Sequence, residues 1–127
     1  MILFLDDDPN RAAITYQRWS PERTNRTIWC HTAQETIDTL RDYSLAEVHL
    51  DHDLEGPQFL DPRHQNSGME VVRWIEAQPE LSKFADTLFI IHSHHLRAGF
   101  EMLERLENLR LRVKYIPFGF MREIALR

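Results

Sequence analysis

The chain has 127 residues, enough for one domain that buries roughly two thirds of the surface its unfolded form exposes. Its formal net charge of -5 and the absence of a long basic run argue against binding to extended duplex nucleic acid, but they leave room for a small anionic ligand. The single cysteine, Cys30, cannot form an internal disulfide, so we expect it to serve packing in a reducing, cytoplasmic setting.

The apolar start of the chain, residues 1–5, is too short for a signal sequence and meets three aspartates at once. No later segment has the length of a membrane span, so we expect no membrane partner. Neither a linker nor an internal repeat interrupts the chain. The sequence therefore predicts a single domain over residues 1–127.

The first half of the chain alternates strand and helix. The first strand, at about residues 2–5, is followed by Asp8 and Pro9, which can cap and begin a helix. The second strand, at about residues 27–30, precedes residues 32–35, where a threonine and a glutamate stand at capping-box spacing. The pattern predicts two consecutive strand and helix units.

The third strand ends at Asp51 and leads into a long polar connection, residues 56–66, that contains two prolines. Ser67 and Glu70 then have the spacing of a second capping box, ahead of an apolar helical face. The sequence therefore predicts a third strand and helix unit with an unusually long loop between its two elements.

The last part of the chain repeats this alternation. The predicted elements are a strand at about residues 87–91, a helix around Phe100 to Leu109, a strand at residues 113–116 and a short helix from Phe120. Strands that alternate with helices and are almost continuously apolar predict a parallel sheet covered on both faces, which is an α/β fold. Periodicity alone does not give the strand order.

Three predicted strands end in polar side chains of types that can bind metals or take part in catalysis. These ends are Asp6-Asp7-Asp8, Asp51-His52-Asp53 and His92-Ser93-His94-His95. In an open α/β sheet, ligands bind outside the carboxyl ends of the strands. We therefore expect the three ends to form one polar cleft.

The same residues resemble the receiver-like superfamily over nearly the whole chain. Asp6 and Asp7 match the acidic pair of receivers, Asp51 the phosphoacceptor, and Asp53 a position whose backbone carbonyl helps to bind magnesium. The resemblance implies a doubly wound, flavodoxin-like sheet of five parallel strands in the order 2-1-3-4-5. It also implies that the ends of strands 1, 3 and 4 come together.

Two switching residues of signalling receivers are missing. His92 stands where the fourth strand of a receiver ends in Ser or Thr. Ile116 stands where receivers have the Lys of a Lys-Pro motif, and Lys114 lies two residues too early to replace it securely. These departures weaken the hypothesis of a phosphorelay receiver.

The chain is more narrowly similar to the cyclic-phosphate-processing receiver-like family. The matching features are the initial Asp pair, Leu50 to Leu54, the helix start at Ser67-Gly68, and His92-Ser93 followed by Gly99 and Met102. In that family a small residue and Asn usually follow His-Ser, where this chain has His94 and His95. The resemblance implies metal-assisted hydrolysis of a cyclic phosphate on a nucleotide or RNA end.

Clustered carboxylates repel one another in a partly desolvated cleft, and a divalent cation relieves that repulsion. The expected metal ligands are Asp6, Asp7, Asp51 and Asp53. Oxygen ligands suit magnesium or manganese, whereas added histidines would make zinc or iron suitable. The sequence does not choose between these ions.

The remaining site residues are assigned by chemistry and position. We expect Asp51, His52 and His92 to be catalytic, and Ser93, His95 and Arg97 to bind the substrate. The histidines would transfer protons, and in an alternative Asp51 attacks phosphorus directly. His49 precedes the strand end and is predicted to pack, while Arg63 and His64 could close on a phosphate from their loop.

Two other functional hypotheses remain open at this level. The missing Lys and Thr are compatible with an inactive receiver-like module that binds a protein partner. Asp51 at the phosphoacceptor position keeps the phosphorelay receiver as a further alternative.

Overall fold

The computed structural model describes residues 1–56 and 58–117, which form one five-stranded parallel sheet with helices on both faces. The strand order is β2-β1-β3-β4-β5. The elements, in chain order, are β1 (Ile2–Leu5), α1 (Pro9–Arg18), α2 (Pro21–Asn25), β2 (Thr27–Cys30), α3 (Ala33–Asp42), β3 (Glu47–Leu50), α4 (Gly68–Glu76), a 3-10 turn (Ser82–Phe84), β4 (Leu88–Ile91), α5 (Leu96–Asn108) and β5 (Arg112–Tyr115). The predicted α/β, flavodoxin-like architecture is confirmed.

The register of the sheet aligns the carboxyl ends of its strands. Leu5 pairs with Cys30 on one side and with Leu50 on the other, and Leu50 pairs in turn with Ile91. The residues that follow β1, β3 and β4 therefore start from the same edge of the sheet.

Alternate strand residues enter two separate cores, because successive side chains of a strand point to opposite faces. Leu3 and Leu5 belong to the larger core, which α3, α4 and α5 cover. Ile2 and Phe4 belong to the smaller core, where Trp19 at the end of α1 is also buried. Burial on both faces explains why the strands are almost continuously apolar.

Two of the predicted helix starts are confirmed in detail. The Asp8 carboxylate accepts a hydrogen bond from the Asn10 N–H (2.8 Å), and Pro9 is the first residue of α1. Thr32 Oγ1 accepts from the Glu35 N–H (3.1 Å) at the start of α3. Both side chains satisfy backbone donors that have no partner within the helix.

The capping box predicted at the start of α4 is wrong. Ser67 occupies the cap position, but its hydroxyl donates to the His64 carbonyl (2.7 Å), and Glu70 pairs with Arg73 (2.6 Å). The backbone N–H of Gly68 is instead satisfied by the His52 carbonyl (2.9 Å). A contact with a distant strand end replaces the local cap.

Smaller differences concern element bounds. β5 begins and ends one residue earlier than predicted, and neither α2 nor the 3-10 turn was expected. The helix predicted from Phe120 lies outside the described residues. Cys30 is buried, in agreement with a packing role, and burial raises the pKa of its thiol. In the part of the chain that the structure describes, no helix combines the length and apolar character of a membrane span.

Candidate functional site

The three strand ends form two groups of side chains. The first, which we name the Asp6 cluster, consists of Asp6, Asp51 and His92 together with Arg11 of α1. The second, which we name the Asp53 cluster, consists of His52, Asp53 and His95. Asp51 and Asp53 are two residues apart in the chain but belong to different clusters.

Backbone hydrogen bonds between neighbouring strand ends position the Asp6 cluster. The Asp51 N–H donates to the Leu5 carbonyl (3.1 Å), and the His92 N–H donates to the Leu50 carbonyl (2.9 Å). The His92 ring also stacks on Phe4, with ring centroids 5.0 Å apart and planes 6° apart. The ladder therefore continues one residue beyond the strands and holds these side chains on an ordered backbone.

Asp6 accepts charged hydrogen bonds from two side chains. Arg11 contacts it in a bidentate manner, from Nε to Oδ2 and from Nη2 to Oδ1, each at 2.9 Å. His92 Nε2 lies 3.0 Å from Asp6 Oδ2. The same Arg11 Nη2 also donates to Asp51 Oδ2 (3.1 Å). A single guanidinium thus bridges the ends of β1 and β3.

The pKa values of the two carboxyls of this cluster, Asp6 and Asp51, are shifted in opposite directions. Burial opposes the ionisation of Asp6, but hydrogen bonds and charges from His92 and Arg11 outweigh burial and lower the pKa of Asp6. Burial raises the pKa of Asp51, and the negative charge of Asp6 adds to this rise. Asp6 is therefore the fixed anion, and Asp51 is the carboxyl better suited to exchange a proton near neutral pH.

The Asp6 cluster fits a divalent cation by the chemistry of its donors. Asp6, Asp51 and His92 each offer a ligand atom, and these atoms lie within 4.8 Å of one another. Asp7 Oδ1 is buried and accepts no hydrogen bond from the described residues. Since Arg11 supplies one positive charge against four neighbouring carboxylates, a cation would be favourable here.

A cleft of about 270 Å³ opens beside the Asp6 cluster. It is lined by Asp7, Asp8, Pro9, Arg11 and Gly56. The Gly56 N–H donates to Asp7 Oδ2 (2.8 Å), and Gly56 has a φ of 81°, which a glycine adopts without strain. The cleft is slightly smaller than typical small-molecule sites, so it suits a small ligand better than a long polymer.

The Asp53 cluster centres on one carboxylate oxygen. Asp53 Oδ1 lies 2.9 Å from His52 Nδ1 and 3.2 Å from His95 Nδ1, and it accepts from the Leu60 N–H (2.8 Å). The Phe59 ring stacks on His95, with centroids 4.5 Å apart. Burial lowers the pKa of His52 against the opposing effect of Asp53. Loop residues 59–60 thereby complete a cluster built on a strand end.

The model of the cyclic-phosphate processing receiver domain family matches residues 1–108. The chain belongs to this family. The narrower of the two resemblances seen in the sequence is thereby confirmed. No curated protein matches the chain.

Solved structures similar to this receiver domain are response-regulator receivers. One is a Burkholderia pseudomallei response regulator with a phosphorylated aspartic acid, calcium and citrate, at TM-score 0.62 and 14% identity, covering 99% of this chain and 65% of that one. Another is the receiver domain of a Vibrio parahaemolyticus protein described as a Luxo repressor, at TM-score 0.60 and 16% identity, covering 98% of this chain and 86% of that one. This receiver domain thus spans about 65% of the length of the first. At such identities the likeness concerns the fold.

Several residues expected in the site of this receiver domain lie at its margin or outside both clusters. Ser93 is buried, and its hydroxyl accepts from the His95 N–H (3.0 Å), so it orders the chain after β4. Arg97 is exposed near the start of α5, and Arg63 is exposed and paired with Asp61. Lys114 is also exposed, on the edge strand β5.

His64, in the long connection, and His49, on β3, have different surroundings. His64 Nε2 lies 3.3 Å from a Glu55 carboxylate oxygen, in the long connection. His49 is fully buried, and its ring lies 5.1 Å from that of Trp19, in agreement with the predicted packing role. Arg23 Nη2 approaches His49 Nε2 (3.4 Å); because a guanidinium can only donate, the neutral imidazole must accept there.

Arg11 is the site residue that sequence reasoning missed. A signal was available, since Arg11 lies in the first turn of α1, where the positive end of the helix dipole disfavours a cation. Asp6 and Asp7, which precede α1, could have suggested that their negative charges offset the unfavourable position of Arg11. Arg11 supplies this receiver domain with a cation near Asp51.

Proposed function

We propose that this domain hydrolyses a cyclic phosphate carried by a nucleotide or an RNA end. The observation that carries the proposal is the Asp6 cluster, in which two buried carboxylates, a histidine and an arginine lie beside a small cleft. Membership in the cyclic-phosphate processing receiver family supports the choice of substrate class.

Arg11 would bind the phosphate. Its side chain is about one quarter exposed, and it lines the cleft while its inner nitrogens contact Asp6 and Asp51. A guanidinium matches phosphate oxygens in shape and charge. Contact with a phosphate here would bring phosphorus close to the Asp51 carboxyl.

Asp6, Asp7 and Asp51 would hold a divalent ion, magnesium or manganese by the oxygen character of the set. Such an ion supplies charge stabilisation at the phosphate when bound. Asp53, which the sequence also suggested as a ligand, belongs to the Asp53 cluster and is left out of this set.

His92 would move a proton. Hydrolysis of a cyclic phosphodiester requires a group that takes a proton from the attacking water and a group that gives one to the departing sugar oxygen. The hydrogen bond to Asp6 fixes the orientation of His92 for one of these steps. His52, the other predicted proton-transfer residue, lies in the Asp53 cluster.

An assay with 2′,3′-cyclic nucleotides and with RNA oligonucleotides ending in a 2′,3′-cyclic phosphate tests the proposal. We expect ring opening in the presence of magnesium or manganese, and its loss in Asp51→Asn. Asp38→Asn is the matched control, because Asp38 is exposed on α3 and pairs with Arg41 away from both clusters. No turnover of either substrate class with either ion would refute the proposal.

A protein-binding module is the second candidate, because α5 carries exposed apolar side chains. Leu96 and Phe100 are each 58% exposed, and the Phe100 ring lies 5.0 Å from that of Tyr115 on β5. A partner that binds wild type and Asp51→Asn equally but not Phe100→Ser would support this function. Equal binding to Phe100→Ser would contradict it.

A further inference from the structure

The Asp53 cluster has the composition and geometry of a second, chemically different metal site. We infer that His52, Asp53 and His95 bind one divalent ion of the zinc class. The inference does not depend on the proposed hydrolysis, because it concerns other side chains and is tested by binding.

The donor atoms lie slightly closer together than they would around a single ion. With zinc bonds of about 2.0–2.2 Å, two ligand atoms of a tetrahedral ion lie roughly 3.3–3.6 Å apart. His52 Nδ1 and His95 Nδ1 lie 2.9 Å and 3.2 Å from Asp53 Oδ1, and the three side chains offer ligand atoms that all lie within 4.8 Å of one another. An ion can therefore be accommodated by small side-chain movements.

The donor set selects the class of ion. Two imidazoles and one carboxylate suit zinc and related transition ions, whereas magnesium prefers oxygen ligands. Three protein ligands leave a position for water or a substrate oxygen, as in catalytic zinc sites. The Asp53 cluster thus differs from the Asp6 cluster in the ion it favours.

A second observation concerns the other ring nitrogen of His52. His52 is fully buried, and its Nε2 has no hydrogen-bond partner among the described residues. Buried polar atoms in folded proteins are nearly always paired. Because Nε2 makes no hydrogen bond, an ion can bind at Nδ1, beside Asp53, without breaking a contact at the opposite ring nitrogen.

The surroundings of the cluster hold its carboxylate and one of its rings in place. The Leu60 N–H donates to Asp53 Oδ1 (2.8 Å), and Asp53 forms an isolated antiparallel bridge with Ser67. The Phe59 ring stacks on His95 with planes 8° apart. Such supporting contacts pre-orient metal ligands.

The test uses the full-length chain without an affinity tag, stripped of metal and titrated with Zn²⁺ by calorimetry and with Co²⁺ by visible absorption. We expect one Zn²⁺ per chain at this site and a Co²⁺ d–d band. His95→Asn should weaken Zn²⁺ binding at least about tenfold and abolish the band. His94→Asn, one residue away and outside the cluster, should retain both.

Asp6→Asn distinguishes the two clusters, because it removes a ligand from the Asp6 cluster alone. We expect it to leave Zn²⁺ affinity at the Asp53 cluster unchanged. The inference is overturned if the chain takes up no Zn²⁺ or if His95→Asn and His94→Asn bind Zn²⁺ with equal affinity. It is also overturned if only Asp6→Asn loses Zn²⁺ binding. Circular dichroism verifies that each variant is folded, and the test relies on His95 because its side chain is partly exposed.

Discussion

Arg11 contacts carboxylates from two strands, with its Nη2 2.9 Å from Asp6 Oδ1 and 3.1 Å from Asp51 Oδ2. Both carboxylates are buried, so water cannot compensate for loss of the guanidinium. The same nitrogen lies 3.7 Å from Asp7 Oδ1. Much of the charge balance of the Asp6 cluster therefore depends on this one side chain.

Arg11→Met should destabilise the protein by about 2–4 kcal/mol, because it leaves two buried carboxyls close together without the guanidinium that bridges them. Arg11→Lys should lose less stability than Arg11→Met, since it keeps the charge but not the bidentate contact. Urea denaturation at low ionic strength measures both effects. In a double-mutant cycle, Asp51→Asn should cost less in the Arg11→Met background than in wild type. Equal denaturation midpoints for wild type and Arg11→Met would contradict this account.

His49 should make stability fall in mild acid. Burial lowers its pKa from 6.5 to about 4 in the folded state, against the opposing effect of Glu47, while Arg23 and the charge of His92 reinforce the decrease. Between these two pH values His49 binds a proton in the unfolded chain but not in the folded chain, so its contribution to stability decreases as pH falls from about 6.5 to about 4. Asp51 contributes with the opposite sign in this range, because its pKa is raised from 3.8 to about 7. The expected contribution of His49 is about 3 kcal/mol.

His49→Gln tests this pH dependence, because its amide can accept from Arg23 but does not titrate. The slope of unfolding free energy against pH between 4 and 6.5 should be less positive in the variant than in wild type. Glu47 affects stability in a lower pH range, since its pKa is lowered from 4.5 to about 2. An unchanged slope in His49→Gln would show that another group titrates.

At the scale of elements, the start of α4 sets the position of the strand end that carries both clusters. The Gly68 N–H donates to the His52 carbonyl (2.9 Å), and Ser67 bridges to Asp53. A Cβ on Gly68 would lie 2.1 Å from the Asp51 carbonyl oxygen. Glycine is therefore required here for close backbone approach.

Gly68→Ala should lower stability by about 2–3 kcal/mol, even though alanine normally favours a helix, because the strand end must move. Gly56→Ala is the comparison: its Cβ meets open space, and its cost of about 1–2 kcal/mol comes from the positive φ alone. Thermal and urea unfolding measure the two losses. A Gly68→Ala variant as stable as wild type would contradict the proposed close packing.

At the scale of the whole molecule, α3, α4 and α5 cover one face of the sheet, and α1 covers the other. The Asp6 cluster is built from α1 and from strand ends that contribute to both cores. An ion bound to the folded form alone should therefore stabilise the entire domain.

Magnesium at 100 times its dissociation constant should raise the free energy of unfolding by about 2.7 kcal/mol, and chelation should reverse the gain. Asp7→Asn should reduce this gain, because Asp7 Oδ1 is a buried oxygen without a hydrogen bond among the described residues. Asp38→Asn should keep it. Thermal shift measurements with and without chelator detect the difference, and an equal gain in Asp7→Asn would argue against Asp7 as a ligand.

The order of strands and helices could be predicted from sequence because its signals are local. Asp8 with Pro9 and Thr32 with Glu35 act within one helical turn, and their caps are confirmed. Ser67 shows the limit of such signals, because its predicted cap is replaced by contacts with a distant strand end. The strand order came from the receiver resemblance rather than from periodicity.

By itself, the sequence determined the α/β class and the three polar strand ends, because apolar periodicity and the abrupt change to Asp and His are properties of short segments. Only the tertiary structure decided that Asp51 joins Asp6 while Asp53 joins His95, and that Arg11 bridges the first pair. The direction of a side chain beyond a strand depends on what packs against its backbone, here Gly68 and the Leu60 N–H. Such contacts link residues distant in sequence, so no local pattern reveals them.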